Sequence, residues 1–355
     1  MKQYDPFARG NSPVGVRTIE ALDRKRQRKF VCEIWYPASS DYKGKDLAAD
    51  TQDVFTVPSQ STPRHQMAVR DAEVQLGTYP LITLSHASGQ TRRTATFLCT
   101  HLASHGYVVA ALDHSETFAP ELARKADETP KQKAERIQGW IANRVPDVRF
   151  LLDHLLSGAS ISSGLELDAT RVGLVGHSFG GWTMLAAAGE DPRVRAVAAF
   201  APAGSSRPGP GIIPATLTFN WGRDVPTLYL VGENDTSLPL SGMNELFDRT
   251  SATKQMVILR GADHLHFIDN IEQEHETVRE MKFPTELAWI QREMRPMTEL
   301  CSENNAHLFV RSLTLSHFDA ALKQHPAARQ FLSGDIVAEL AARDIDVRVR
   351  RALDR

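Results

Sequence analysis

Residues 174–185, LVGHSFGGWTML, change character halfway along their length. An unbroken apolar run typical of a buried strand reaches a glycine-rich cluster and continues with the composition of a helix. Gly176 and Gly180 flank Ser178 in the pattern G-x-S-x-G, which marks a sharp strand-to-helix turn that exposes a serine hydroxyl. Glycines lack the Cβ atoms that would collide at so close a crossing. The stretch predicts a nucleophilic Ser178; the alternative is an ordinary strand–helix loop.

The surrounding sequence alternates short apolar segments with helical patterns. Strands that are apolar throughout and are separated by helices are typical of a mostly parallel sheet with helices on both faces. The fold class is therefore α/β, with the N-terminal segments fitting antiparallel edge strands. The predicted strands lie within 30–37, 80–89, 107–114, 171–177, 194–202, 225–235 and 254–264, and the predicted helices at 94–106, 144–158, 178–191 and 240–250, followed by helical patterns in 306–325 and 327–344.

No linker divides the 355 residues, so we predict one domain, 1–355, with lid-like or cap-like insertions. The segment 115–140 is highly charged, and its residues 121–136 are typical of a solvated helix face. The segment 203–224 is rich in glycine and proline but carries several large apolar side chains. The segment 270–304 has an amphipathic helical pattern. The sequence does not indicate which of the three forms the lid.

The composition argues against several classes of partner. Lys and Arg number 41 against 43 Asp and Glu, a net charge of −2, so no overall field favours nucleic acid. No apolar run approaches the roughly 20 residues of a membrane helix, and the first residues carry no apolar signal-peptide core. Three scattered cysteines show neither metal spacing nor a disulfide framework. We expect a cytoplasmic protein without stable membrane insertion; its oligomeric state stays open.

A serine hydroxyl needs a base, and in this fold the order along the chain is Ser, Asp or Glu, then His. Asp235 follows the strand TLYLVG and is the candidate acid, with Glu233 as the substitute and a turn or helix-capping role as the alternative. His264 follows the last predicted strand, and His266 competes with it as the base. An H-x-H pair could also be half of a metal site, but no further ligand spacing accompanies it, so no metal is expected.

A developing oxyanion needs two hydrogen-bond donors. One is expected from the backbone N–H of Phe179, directly after the nucleophile. The other is expected from the loop after the predicted strand at residue 80, where Ser88 or Ala87 would supply it.

The substrate contacts are predicted from apolar side chains near the serine. The segment 203–224 leaves the sheet at the edge of the active site, and its Phe219 and Trp221, together with Trp182 after the turn, are the candidate substrate-binding residues. The alternative for the segment is that its apolar side chains only cover the sheet edge.

With these residues identified, the chain resembles the α/β-hydrolase superfamily. More narrowly it is similar to the bacterial dienelactone-hydrolase-like group related to platelet-activating-factor acetylhydrolases. The motifs that carry the resemblance are SPVGVRTIEALD, CEIWYPA, LSHASGQTRRTATFLCTHLASHGYVVAALDHSE, GHSFGGWT and GADHLHFID. The resemblance implies that Ser178 is the nucleophile and that His264, the first histidine of its segment, is the base. It also implies Phe179 and Ser88 as oxyanion donors.

Two positions depart from the family pattern. Acetylhydrolases proper take their acid from the end of the strand after the elbow helix, where this chain has Ala201, which leaves Asp235. The usual His-Gly of the oxyanion loop is His86-Ala87 here, which puts the second donor in question. The sequence thus predicts a cofactor-free serine hydrolase that acts on a small carboxylic ester. The alternatives are an amide, a lactone or a carbon–carbon bond as the substrate bond, or a non-catalytic binding protein.

Overall fold

A computed structural model describes residues 4–57, 62–158 and 161–352. The chain forms two compact units: the first is Ala8–Gly173, and the second combines Met1–Phe7 with Leu174–Arg355. The assignment of a single domain with lid-like insertions remains a prediction. In the described residues, no helix combines the length and the apolar character needed to cross a bilayer.

The first unit holds the N-terminal antiparallel strands and the parallel pair Gly77–Ser85 and Val108–Leu112. Its strands are β1 (Val14–Asp23), β2 (Arg28–Pro37), β3 (Asp53–Phe55), β4 (Arg64–Gln66), β5 (Val69–Arg70), β6 (Gly77–Ser85), β7 (Val108–Leu112) and β8 (Leu165–His177), which ends in the second unit. Its helices are α1 (Thr96–Ser104), α2 (Ser115–Phe118) and α3 (Pro130–Leu156). The strand order here is β8-β6-β7-β2-β1-β5, with β6 parallel to β7 and β2 antiparallel to both β7 and β1.

The second unit alternates strands and helices before a helical C-terminal part. Its elements are α4 (Phe179–Glu190), β9 (Val194–Phe200), β10 (Thr227–Gly232), α5 (Leu240–Arg249), β11 (Lys254–Leu259), α6 (Ile271–Glu280), α7 (Ala288–Glu293), α8 (Glu303–Leu322), α9 (Pro326–Ser333), α10 (Ile336–Ala341) and β12 (Val347–Arg351). The order is β12-β11-β10-β9-β8, with β9, β10 and β11 mutually parallel. The predicted mostly parallel α/β sheet is confirmed.

The parallel strands are apolar because both of their faces are covered. Strands β7, β9 and β10 are buried along nearly their whole length, as a sheet packed on both sides requires. The carboxyl ends of β8, β10 and β11 lead directly into the segments that carry Ser178, Asp235 and His264. In open α/β sheets this is the edge where ligands bind.

Two elements differ from the prediction. The helix expected at 144–158 is the end of the 27-residue α3, which contains Pro146 in its interior. Thr129 and Gln132 form a capping box at its start, so the helix-start signal lies well before the proline. The chain was also predicted to close in helices, but it ends in β12, antiparallel to β11. Valines 347 and 349 alternate with arginines there, the period of an edge strand.

Candidate active site

Ser178 lies at the junction of β8 and α4 in a strained backbone conformation. Its φ of 57° and ψ of −119° fall in a region that residues with a side chain rarely adopt. Three backbone hydrogen bonds hold it there: the Ser178 N–H donates to Phe200 O at 2.9 Å, and Ser178 O accepts from Trp182 N at 3.1 Å and Ala203 N at 3.0 Å. The strain is thus supported by the surrounding structure, and the turn predicted from the sequence is present.

The glycines around this turn permit the close approach of backbone to backbone. A Cβ on Gly176 would lie 2.4 Å from the carbonyl oxygen of Gly180, which confirms the steric role predicted for Gly176. A Cβ on Gly181 would lie 2.8 Å from Cβ of Pro202, in the segment after β9. The G-x-S-x-G pattern did not predict this steric role of Gly181, although Gly181 directly follows Gly180 in the sequence.

The second unit brings Ser178, His264 and Asp235 into one hydrogen-bonded chain. Nε2 of His264 lies 2.9 Å from Oγ of Ser178, and Nδ1 of His264 lies 2.7 Å from Oδ2 of Asp235. The other carboxylate oxygen, Oδ1, accepts the N–H of Leu238 at 2.8 Å. Asp235 is buried, with 1% of its side chain exposed, whereas 17% of the His264 side chain is exposed. A buried carboxylate thus faces a partly accessible imidazole, which faces the hydroxyl.

The surroundings of His264 favour its protonated form. Burial alone would lower its pKa, but the charge of Asp235, the hydrogen bond to Asp235 and the charge of Asp263 together raise it above the ordinary value. The neighbouring His177 is buried, and its ring lies 4.6 Å from the ring of His264. Burial and the nearby His264 hold the pKa of His177 far below its ordinary value, so it packs as a neutral ring.

His266, the competing histidine, faces away from this chain of groups. It is fully buried, with Nδ1 at 2.8 Å from Oδ1 of Asp263 and Nε2 at 3.2 Å from the carbonyl oxygen of Cys301. His264 and His266 therefore do not converge as an H-x-H metal half-site would. His275 also approaches Asp263, its Nε2 lying 2.8 Å from Oδ2.

Comparison with known proteins identifies the family. The family model described as the dienelactone hydrolase family matches residues 72–294, more than half of the chain. The chain belongs to the dienelactone hydrolase family. The predicted resemblance to this α/β-hydrolase group is thereby confirmed.

Individual relatives agree with the family. Cutinase est1 of Thermobifida alba is 29% identical over 199 residues, which cover 55% of this chain and 55% of the cutinase. A platelet-activating factor acetylhydrolase of Cavia porcellus is 27% identical over 227 residues, covering 54% of this chain and 48% of that protein. The chain spans about half the length of the curated relatives it matches. A ferulic acid esterase from Streptomyces cinnamoneus superposes with a TM-score of 0.63 at 24% identity, covering 90% of this chain and 93% of the esterase, and shows the shared fold.

Two other positions for the acid, Glu233 and Ala201, differ from Asp235 in their surroundings. Glu233 forms ion pairs with Arg348 of the edge strand β12 and with Arg260, the latter at 3.5 Å. Ala201, at the position used by acetylhydrolases, has a φ of 36° and donates its N–H to Leu230 O at 2.9 Å. Glu233 is thus engaged elsewhere, and position 201 holds no carboxylate.

The two predicted oxyanion donors lie in different units. Phe179 is the first residue of α4 and is buried, its ring stacked 5.3 Å from that of Trp182. Ser88 belongs to the first unit, in the loop after β6, and its Oγ is buried without a hydrogen-bond partner among the described residues. Their role as donors stays a prediction.

Within the segment 203–224, residues 215–221 have one buried face. Ala215, Leu217, Phe219 and Trp221 are buried and alternate with exposed residues, a period of two that is also visible in the sequence. The indole N–H of Trp182 donates to Thr216 O at 2.7 Å and ties this segment to α4.

Of the three predicted substrate-binding residues, Phe219 and Trp221 lie in that segment and Trp182 lies in α4. A Cβ on Gly189 would lie 2.8 Å from the Trp221 ring, so Trp221 covers the last turn of α4. Gly189 is eleven residues after Ser178, about 16 Å along the helix. Phe219 packs 5.6 Å from Trp221 and beneath the guanidinium of Arg249. This packing favours the covering role for Trp221 and Phe219, whereas Trp182 lies beside the Ser178 turn.

Proposed function

We propose that this chain is a serine hydrolase of carboxylic esters. The observation that carries the proposal is the hydrogen-bonded chain from Ser178 through His264 to Asp235, at 2.9 and 2.7 Å. It has the atoms and the order that nucleophilic catalysis by serine requires. The relatives support the same reaction class, since they include a cutinase, an acetylhydrolase and an esterase.

The proposed reaction has two stages. Nε2 of His264 accepts the Ser178 proton as Oγ attacks the ester carbonyl, and the resulting imidazolium donates its Nδ1–H to the Asp235 carboxylate. The tetrahedral oxyanion is held by the backbone N–H of Phe179 and by the loop at Ala87 and Ser88, as the motif predicts. His264 then protonates the departing alcohol, which leaves an acyl group on Ser178. Water loses a proton to His264 and attacks the acyl carbon. The bond from that carbon to Oγ of Ser178 then breaks, the acid is released, and His264 returns the proton to Oγ.

Asp235 orients His264 throughout this cycle. Its burial and its hydrogen bond from Leu238 N–H fix the carboxylate, which in turn selects the tautomer of His264 with the proton on Nδ1. The reaction begins with neutral His264. Because the pKa of His264 is raised, activity should fall on acidification at a higher pH than it would with an ordinary histidine.

A fluorophosphonate label tests the proposal directly. The parent protein should lose ester turnover as one label attaches at Ser178, and Ser178→Ala should neither react nor turn over esters. The loss of turnover is expected to be on the order of 10⁶. Retained turnover in a folded Ser178→Ala protein would show that Ser178 is not the nucleophile. A parent protein that neither reacts nor hydrolyses any ester would support the binding-protein alternative.

A substrate panel separates the enzymatic alternatives. Matched esters, amides and lactones of one acyl group, with acyl length varied in the esters, should show the highest kcat/KM for the esters. A higher value for an amide or a lactone would reassign the bond but keep the three residues. We also propose a cytoplasmic location, which fractionation of cells producing the full chain would test.

A further inference from the structure

The aspartate directly before the proposed base is buried beside it. Asp263 precedes His264 in the stretch GADHLH, and 4% of its side chain is exposed. A buried carboxylate loses its hydration, so it needs hydrogen bonds or an opposite charge from the protein. The proposed reaction gives Asp263 no role, because the acid in the hydrogen-bonded chain is Asp235. The contacts of Asp263 show what it does for the residue that follows it.

One side-chain oxygen of Asp263 spans the next residue. Its Oδ1 accepts the backbone N–H of Leu265 at 2.9 Å. A side-chain oxygen bonded to the N–H two residues later forms an Asx turn, which fixes the backbone of the residue in between. That residue is His264. The backbone oxygen of Asp263 also accepts the N–H of His266 at 3.4 Å, so Asp263 closes the turn a second time.

The backbone before Asp263 is anchored to the segment that carries the acid. The N–H of Asn234, directly before the acid, donates to Ala262 O at 2.8 Å. A Cβ on Gly232 would lie 2.6 Å from the same carbonyl oxygen, so the two segments are in close contact. The chain before His264 is thus fixed by the acid's segment, and the chain after it is fixed by Oδ1 of Asp263.

Two histidines hold the Asp263 carboxylate in this orientation. Nδ1 of His266 lies 2.8 Å from Oδ1, and Nε2 of His275, on α6, lies 2.8 Å from Oδ2. The first contact is a hydrogen bond, whereas the second lies at ion-pair distance without the alignment of a hydrogen bond. Both histidines are fully buried. Burial alone would raise the pKa of Asp263, but the two histidines lower it below its ordinary value, so the carboxylate stays ionised.

The proposed base needs a fixed backbone because its ring must reach two partners at once. Nδ1 of His264 lies 2.7 Å from the Asp235 carboxylate, and Nε2 lies 2.9 Å from Oγ of Ser178. Both distances depend on the backbone of His264, since the short histidine side chain has little reach of its own. A displacement of about 1 Å can cost on the order of 10²-fold in rate. The turn around His264 therefore bears directly on the proposed chemistry.

The charge of Asp263 also acts on the His264 ring. Among the described residues, the titratable groups that face this ring are Asp235 from the loop after β10, Asp263 from its own loop and His177 from the end of β8. Burial lowers the pKa of His264, and the two carboxylates raise it. His177 stays neutral because burial and the nearby His264 lower its pKa. Without the Asp263 charge, His264 should therefore take up its proton at a lower pH.

We propose that Asp263 is a positioning residue: its Oδ1 bond to Leu265 holds the backbone of His264 in the conformation from which the imidazole reaches both of its partners. The inference rests on the proposed function, because only that reaction makes His264 a base. In this role Asp263 neither contacts the substrate nor transfers a proton. It acts through the backbone of His264, and its charge sets how readily the ring is protonated.

Two substitutions separate the turn from the charge. Asp263→Asn removes the charge but keeps a side-chain oxygen for the Leu265 N–H, and asparagine forms the same turn. Asp263→Glu keeps the charge, but its extra methylene moves the oxygen out of the turn. In Asp263→Asn the neighbouring His266 can stay neutral, since its Nδ1 lies 3.0 Å from the backbone nitrogen of residue 263.

The two variants should lose different properties. Asp263→Glu should lower kcat for an ester by about 10- to 100-fold with KM within about twofold. Asp263→Asn should keep kcat at its pH optimum within about threefold, while the acid limb of its kcat/KM profile moves to lower pH by about half a pH unit or more. A carboxylate that only stabilised the fold would not divide the two effects in this way.

Asp191→Ala is the matched control. Asp191 is buried in the same unit at the end of α4, and its Oδ1 accepts the N–H of Arg193 at 3.0 Å, which is the same kind of turn. This variant should retain the parental kcat and acid limb. A parental kcat in Asp263→Glu, or equal losses of kcat in Asp263→Glu and Asp263→Asn, would overturn the proposal. Where Asp263→Glu does not fold, Asp263→Ala replaces it, since it lacks the charge like Asp263→Asn and differs from that variant in the turn.

Proton NMR follows the same positioning without any substrate. The Nδ1–H between His264 and Asp235 should give a low-field signal in the parent, in Asp263→Asn and in Asp191→Ala. The signal should be shifted or lost in Asp263→Glu, and a parental signal there overturns the inference. Failure of the proposed function is seen separately, in turnover that survives Ser178→Ala, and it leaves the NMR comparison valid.

Discussion

Oδ1 of Asp263 lies 2.8 Å from Nδ1 of His266, and these two residues flank His264 along the chain. The same carboxylate oxygen accepts the N–H of Leu265 at 2.9 Å. His266 reaches the carbonyl of Cys301, whose own N–H donates to Gly261 O at 2.7 Å. The loop that carries His264 is therefore closed by the buried contact between Asp263 and His266 on one side and tied to Cys301 at both of its ends.

The two histidines of this loop should respond differently to substitution. His264→Ala removes the proposed base and should lower kcat/KM for an ester by about 10⁵- to 10⁶-fold without loss of folding. His266→Gln removes a buried partner of Asp263 and should lower the melting temperature while costing less than about tenfold in kcat/KM. Ester kinetics and thermal unfolding of both variants check this, and the reverse ranking of activities would make His266 the base.

Asp235→Asn should reduce kcat by about 10⁴-fold, because an amide no longer selects the His264 tautomer with its proton on Nδ1. Glu233→Gln is the matched control, since Glu233 lies two residues away and pairs with Arg260 and Arg348 instead. It should retain activity within about threefold. A loss below tenfold in Asp235→Asn, with a large loss in the control, would transfer the acid role to Glu233.

The free energy of unfolding should decline at alkaline pH because of His266. Burial alone would lower its pKa, but hydrogen bonds to Asp263 and Cys301 and the charge of Asp263 raise it to about 10. A group whose pKa rises on folding stabilises the protein fully below its unfolded pKa, about 6.5 for histidine. That stability is lost as the pH rises through the folded value.

Denaturant titrations from about pH 6 to pH 10.5 measure this loss, with His266→Gln as the reference. The parent should lose stability over this range more steeply than the variant. Parallel profiles for the two proteins would show that His266 is not charged in the folded state.

Phe219→Ala and Trp221→Ala should act on stability, in contrast to Trp182→Ala. Both aromatic rings are buried, and Trp221 packs over Gly189 at the far end of α4, so truncation should cost about 3–5 kcal/mol in the free energy of unfolding. The acyl-length profile of each folded variant should remain parental. Trp182→Ala, beside the Ser178 turn, should alter that profile. A shift in acyl preference for Trp221→Ala would restore it as a substrate-binding residue.

Local signals in the sequence were sufficient for the reaction class and the three central residues. The turn at Ser178 requires glycines within a few positions. Chain order predicted Asp235 and His264 as acid and base, with Glu233 and His266 left open as alternatives. Fold class followed from apolar segments that alternate with helices, a pattern imposed by a sheet covered on both faces. The turn at Ser178 is visible in one short stretch, whereas the order of the three residues and the alternation of segments are visible along the whole chain.

The tertiary structure decided what depends on contacts between distant residues. Gly181 is needed because Pro202 approaches it, and β12 is a strand because its alternating valines meet β11. The Trp221 ring lies against Gly189 because the last turn of α4 passes beside it. In each case the two contacting residues or elements are distant in the sequence, so no local pattern predicts the contact.

A buried cluster of Ser85, His114 and Asp147 is the clearest case: Oγ of Ser85 lies 2.8 Å from Nε2 of His114, and Nδ1 of His114 lies 3.0 Å from Oδ2 of Asp147. Its members are 29 and 33 residues apart, and each one by itself is typical of a strand end or a helix face. The sequence by itself determined that a serine is exposed at a turn and that an acid and a base follow it. Only the packing of β6, β7 and α3 decided that a second serine, histidine and aspartate would be buried together. Hydrogen bonds between side chains form where the fold places them, whatever their separation along the chain.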